Sequence, residues 1–125
     1  MSAPVPSSKR AQARRLDNYA LVRPRSSSVV SCPSVAALQA EIAVARATGR
    51  KVTLRGAGLS FHDQSQGDDL TLVADFGAPS MNLEEGGAVR ADAHARWGDL
   101  ARFALRHHQL PLVVPTTEAA RLGGT

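Results

Sequence analysis

Residues 34–54, SVAALQAEIAVARATGRKVTL, constrain the fold more than any other stretch of this chain. Ser34 follows Pro33 and can accept from the open N–H groups of a first helical turn. Val35, Leu38, Ile42 and Ala45 recur at helical spacing, with alanine at most positions between them. Arg46 suits the negative end of a helix dipole, and Gly49 offers a left-handed stop. The next residues, KVTL (Lys51 to Leu54), are short and β-rich and read as a strand. A helix that passes through a glycine directly into a strand is an α/β connection.

The rest of the chain continues that alternation. DLTLVADF (Asp69 to Phe76) reads as a second strand whose Leu-Val centre implies burial on both faces. Gly77, Pro79 and Asn82 mark turns around a short segment near Met81 and Leu83. Glu84-Glu85-Gly86-Gly87 makes another turn, and AVRADAHA alternates as a further strand. Trp97, Leu100, Ala101, Ala104 and Leu105 form the apolar stripe of a second helix, with Asp99 near its start and Arg102 and Arg106 near its end. Pro111 stops that helix, LVV (Leu112 to Val114) reads as a brief strand, and TTEAARLGGT reads as a loop. The fold class is mixed α/β (α+β).

A pI near 10.2 suggests a nucleic-acid or membrane-surface binder until the charge is located. The first 33 residues hold six Lys or Arg against Asp17 alone, while the other 92 carry nine basic and ten acidic residues. The basic signal therefore belongs to an N-terminal arm and the body is nearly neutral, so no nucleic-acid partner is expected. Residues 1–28 are expected to be a flexible arm, because SAPVPSSKRAQARRL has too little apolar surface to offset its ordering entropy. No hydrophobic stretch follows the basic residues as a secretory or twin-arginine signal requires, and no apolar run approaches a membrane span. The expected location is cytoplasmic. An Arg-rich, acid-poor start also has a faint likeness to a transit peptide. A single cysteine excludes a disulfide framework and a Cys-rich zinc site.

Two glycine-bearing loops carry the chemistry. RGAGLSFHDQS, Arg55 to Ser65, follows the strand KVTL. Gly56 and Gly58 let the backbone approach a ligand closely, successive N–H groups in such a turn form an anion nest, Ser60 adds a hydroxyl donor and Arg55 adds charge. It is neither a P-loop nor a Rossmann fingerprint, since Phe61 stands where a third glycine would fall. By itself a GxG after a strand is equally well explained as a tight turn. The second loop, VVPTTEAARLGGT, places Thr116, Thr117 and Thr125 beside Gly123 and Gly124 at a predicted strand end. Two ordinary glycine-rich connections remain the plain alternative to two halves of a ligand cleft.

The pair of loops, with the helix before the first and WGDL helix, proline, polar stretch and Gly-Gly before the chain's end, resembles the FAD-linked oxidases with a PCMH-type (vanillyl-alcohol-oxidase-type) FAD-binding domain. The likeness runs from Val30 to Thr125 and is nearest to the sugar, alditol and aldonolactone oxidases and decaprenylphosphoryl-ribose oxidase. It implies that residues 29–125 are the N-terminal portion of such a domain, a small mixed sheet with flanking helices that is incomplete at its C-terminus. It assigns Arg55, Gly56, Ala57, Gly58, Leu59, Ser60, Phe61, His62, Asp63, Gln64 and Ser65 to the FAD pyrophosphate and nearby flavin, and Thr116, Thr117, Arg121, Leu122, Gly123 and Gly124 to the rest of the cofactor cleft. Many relatives have a flavin-linking histidine where this chain has Leu59, so FAD is expected to bind non-covalently; His62, three residues on, is not at the linking position.

The resemblance further implies hydride transfer from an alcohol or sugar-like carbon to flavin N5. It places the catalytic base in a missing C-terminal substrate domain or a complementing chain. No catalytic residue and no metal ligand is therefore assigned within this sequence. The alternative function is a non-catalytic fragment or small binding module whose basic arm engages an acidic partner. His107-His108 diverge by about 100° on a helix and do not converge on a metal. His94 lacks a ligand partner at suitable spacing, Asp68-Asp69 and Glu84-Glu85 read as turn carboxylates, Cys32 has no activating neighbour, and Trp97 reads as an anchor of its helix.

Overall fold

The computed structural model describes residues 11–125, which separate into two compact units, the first ending at Phe76 and the second spanning Gly77–Thr125. The first unit contains β1 (Gln12–Leu16), β2 (Arg25–Cys32), α1 (Val35–Ala47), β3 (Val52–Arg55) and β4 (Leu70–Ala74) in one sheet of order β1-β2-β4-β3. β2, β4 and β3 run parallel, and β1 pairs antiparallel with β2, Leu16 opposite Arg25. This is the mixed α/β fold that the helix–glycine–strand passage requires.

β4 lies inside the sheet because its residues suit burial on both faces. Leu70 and Leu72 point to one side and join Val30, Cys32 and Ala45 in an apolar core, with Leu38 and Phe76 packed against it. Thr71 points to the other side, fully buried, where its hydroxyl lies 2.8 Å from that of Ser27. A buried hydroxyl pair of this kind satisfies both groups without water.

α1 begins as expected: the Ser34 hydroxyl accepts from the Ala37 N–H at 3.1 Å. Gly49 has φ +67°, the left-handed stop. Ser34→Ala is expected to lower stability by about 1 kcal/mol, read as a fall in denaturant midpoint at unchanged slope. The predicted stripe on α1 is only partly used, since Ala45 is buried and Leu38 half-buried while Val35 and Ile42 stay exposed.

β1 and β2 were not expected from the sequence. The predicted boundary between arm and domain, at residues 28 and 29, falls inside β2, and residues 12–16, placed in the arm, form β1. β1 is a polar strand held by its ladder to β2, with only Leu16 buried. The first dozen residues, expected to be mobile, lie largely outside the described ones.

The second unit pairs β5 (Met81–Leu83) antiparallel with β6 (Val89–Ala91) and adds α2 (Trp97–Arg106). α2 is capped by its own chain. Asp99 accepts from the Arg96 N–H at 3.0 Å, and the Trp97 and Gly98 N–H groups donate to the carbonyls of Ala120 (2.9 Å) and Glu118 (3.0 Å). The Arg96 N–H bond, followed by the Arg102 guanidinium, holds the Asp99 carboxyl below its ordinary range. LVV is no strand: Leu112, Val113 and Val114 are exposed, and Pro111 and Pro115 on either side lack the N–H groups a ladder needs. No helix among the described residues is long and apolar enough to cross a membrane.

Candidate functional site

Adjacent parallel strands need a crossover, and between β3 and β4 residues 56–69 supply it without a helix. The first glycine loop is that crossover, interrupted only by a short 3-10 turn at Asp63–Ser65. Its shape is set by bonds to three places in the first unit.

Arg55 is the internal brace. Its guanidinium donates to the Ser65 carbonyl (2.9 Å) at the far end of the loop and to the Asp17 carbonyl (2.6 Å) after β1. It packs so closely under Gly58 that a Cβ there would sit 2.2 Å from Nη2. Burial pushes the guanidinium below its ordinary value. The sequence reading gave Arg55 a charge-supplying role; in the structure its donors reach inward to carbonyls.

Ser60 differs from expectation in the same way. Its hydroxyl donates to the His62 carbonyl at 2.8 Å, so the Ser65 hydroxyl, also 2.8 Å away, is the donor in that second contact. Asn18, buried, donates to the His62 carbonyl at 2.8 Å, and the Tyr19 N–H donates to the Ser60 carbonyl at 3.1 Å. Asp63 closes the loop's end against Arg25, 2.9 Å away, and Arg25 also pairs with Asp68. The Arg25 hydrogen bond holds the Asp63 carboxyl below its ordinary range. Gln66, buried, donates to the Leu16 carbonyl at 3.1 Å.

What this bracing leaves open is the loop's crest. The backbone N–H groups of Gly56, Ala57, Gly58 and Leu59 donate to no described residue. Gly58 is buried and has φ +75°, and Leu59 is half-buried. Four consecutive N–H groups without acceptors among the described residues, one at a left-handed glycine, are the type of donor set that an anion nest uses. Phe61, His62 and Gln64 are exposed along the same loop.

The second set of predicted residues lies in the other unit and is mostly occupied with its own packing. The Gly123 N–H donates to the Ala93 carbonyl at 2.8 Å, and a Cβ at Gly123 would meet that of Ala93 at 2.8 Å. The Leu122 N–H donates to the Ala95 carbonyl at 2.9 Å, and Arg121 bridges to Arg96. Thr117 accepts from the Ala119 N–H at 3.2 Å, and Thr125 accepts from the Trp97 indole at 2.9 Å. Thr116 is exposed and Gly124 has open space around it.

Cavities of about 410 and 280 Å³ in this unit are lined respectively by Arg102, Arg106 and Phe103 with neighbours, and by an apolar set including Leu100, Leu110 and Leu122. Among the described residues no three His, Cys, Asp or Glu side chains are grouped to hold a metal. Cys32 is buried, and burial raises its thiol.

Asn18, Tyr19, Arg25 and Gln66 are the members of the site that sequence reasoning missed. A signal existed in Asp17-Asn18, a turn-forming pair between two polar runs.

Comparison with known proteins gives a consistent result. The sequence model of a family described as "FAD binding domain" matches residues 26–125. A solved structure of cholesterol oxidase from Brevibacterium sterolicum, a histidine-to-alanine mutant, is similar with TM-score 0.77 and 14% identity, covering 99% of this chain and 26% of that one. The chain thus spans about a quarter of that protein's length. No match is found among curated protein sequences.

Proposed function

The chain belongs to the FAD binding domain family, and we propose that it is the cofactor-binding segment of a flavin-dependent oxidoreductase acting on an alcohol or sugar-like substrate. The observation that carries this reading is the crest of the β3–β4 crossover, where the N–H groups of Gly56 to Leu59 have no acceptor among the described residues. These four groups hold the pyrophosphate. Arg55, Asn18 and the Arg25–Asp63 pair keep the crest in shape from below, so little ordering remains to be done when the ligand arrives. When bound, the cofactor supplies hydride acceptance at flavin N5, and the protein supplies orientation and electrostatics. The catalytic base and substrate pocket come from a further domain or a complementing chain.

Titration of the chain with FAD, alone and with a complementing substrate domain, is expected to give a shifted flavin absorption band and saturable binding. No uptake in either form would overturn the proposal. The attachment is non-covalent, because Leu59 has no nucleophile to offer the flavin. Acid precipitation of the loaded protein is therefore expected to leave all yellow colour in the supernatant; colour kept in the pellet would contradict it.

A further inference from the structure

Beside the glycine loop the first unit presents apolar side chains that its core does not use. Tyr19 and Phe61 are 61% and 68% exposed and meet edge to face, with ring centroids 5.3 Å apart and planes at 74°. Leu21 and Val22 are exposed next to Tyr19 in the turn between β1 and β2. This turn is tightly built. The buried Asn18 amide donates to the carbonyls of Val22 (3.2 Å) and His62 (2.8 Å) and its oxygen accepts from the Val22 N–H (3.0 Å). Leu21 and Arg23 adopt φ of 55° and 51°, the left-handed region that disfavours side-chain-bearing residues. Such strain persists where the surroundings over-determine it, and it clusters at ligand clamps. Here the strained turn fixes an aromatic pair in the open, one of whose rings belongs to the loop that carries the N–H groups of Gly56 to Leu59.

We propose that Tyr19 and Phe61 form a ring-binding wall, packing against a flat heteroaromatic ring of the dinucleotide whose phosphates lie on Gly56 to Leu59. The inference rests on the FAD-binding reading above. Backbone N–H groups select the phosphate charge but not the ring attached to it, whereas aromatic side chains recognise planar rings by offset or edge contact. Tyr19 lies outside the matched residues 26–125, so it is a contribution of this chain beyond the matched region.

The test compares the unsubstituted protein with Tyr19→Ala and Tyr19→Phe, using whichever form takes up FAD. Four probes are titrated: FAD, FMN, ADP and inorganic pyrophosphate. Tyr19→Ala is expected to weaken FAD about tenfold, to weaken either FMN or ADP similarly, and to leave pyrophosphate unchanged. A loss on FMN identifies the flavin as the ring held, and a loss on ADP identifies the adenine. Tyr19→Phe keeps the ring and is expected to keep the affinity. Where FMN is the weakened probe, that variant also brightens the bound flavin, because it removes the Tyr19 phenol that would quench flavin emission by electron donation from beside the ring. Equal losses on all four probes, or no loss on any, would overturn the wall. Failure of the unsubstituted protein to take up FAD overturns the binding reading and the wall together. Intact uptake with unchanged affinity in Tyr19→Ala overturns the wall alone. Exposure of Tyr19 makes folding failure an unexpected result, and far-UV circular dichroism of each variant checks it.

Discussion

Gly58→Ala is expected to abolish FAD uptake while leaving a folded but less stable protein. Two costs combine at this position. The backbone has φ +75°, where a side-chain-bearing residue loses about 1–2 kcal/mol. The added Cβ would also sit 2.2 Å from the Arg55 guanidinium. A flexible arginine could step aside at small cost if its end were free, but this one is held by the Ser65 and Asp17 carbonyls. Moving it breaks at least one hydrogen bond from a charged donor, roughly 1.5–3 kcal/mol. The sum is about 2.5–5 kcal/mol, together with a crest no longer shaped for phosphate. Gly49→Ala is the matched control, since Gly49 has φ +67° and nothing within 4 Å of its Cβ position. It is expected to show the backbone cost alone and full FAD uptake. Urea unfolding and FAD titration of both variants check the pair; similar behaviour of the two would show that the contact with Arg55 is unimportant.

Arg55→Ala is expected to be similarly damaging, for a reason opposite to a surface phosphate-binding arginine. It removes both inward bonds and leaves the Ser65 and Asp17 carbonyls without their donor, at about 2–4 kcal/mol after allowing for water reaching the partly exposed site. Arg55→Lys is expected to recover little, because one ammonium cannot reproduce a planar fork that spans two separate carbonyls. A direct phosphate contact would give a different pattern: stability near that of the unsubstituted protein, FAD affinity lowered, and lysine a fair substitute. Denaturant midpoints measured without ligand separate the two patterns.

The parts of the fold legible in the sequence were those whose side-chain spacing matches their secondary structure, even where burial does not follow it, as at the exposed Val35, Ile42 and Leu105. α1, β4 and α2 announce themselves through apolar spacing, and Ser34 and Gly49 mark the ends of α1 with the geometry later found. β1 was illegible because QARRL buries only Leu16 and is a strand by virtue of its ladder to β2. β2 was hidden by its serines, of which Ser27 is buried through a hydroxyl bond to Thr71 instead of by apolar packing. LVV misled in the other direction, since strand-forming residues without a neighbouring strand remain a loop. At the site, the glycine loop was visible as a motif, but the direction in which Arg55 points was not. A motif records which residue types occur, whereas the carbonyls that capture Arg55 belong partly to a turn 38 residues earlier.

Tyr19 and Trp97 are the only tyrosine and the only tryptophan of the chain, and they fall in different units. Trp97 is tied through its indole N–H to Thr125, in the Gly-Gly segment, and Tyr19 is edge-on to the glycine loop. Each unit therefore carries its own native optical reporter. Long-wavelength excitation follows only the Trp97 half, while the phenol bands, resolved from the overlapping indole absorption in second-derivative spectra, follow the Tyr19 half. Melting curves recorded on the two channels reveal directly whether the halves come apart together or in sequence, without a label or a substitution.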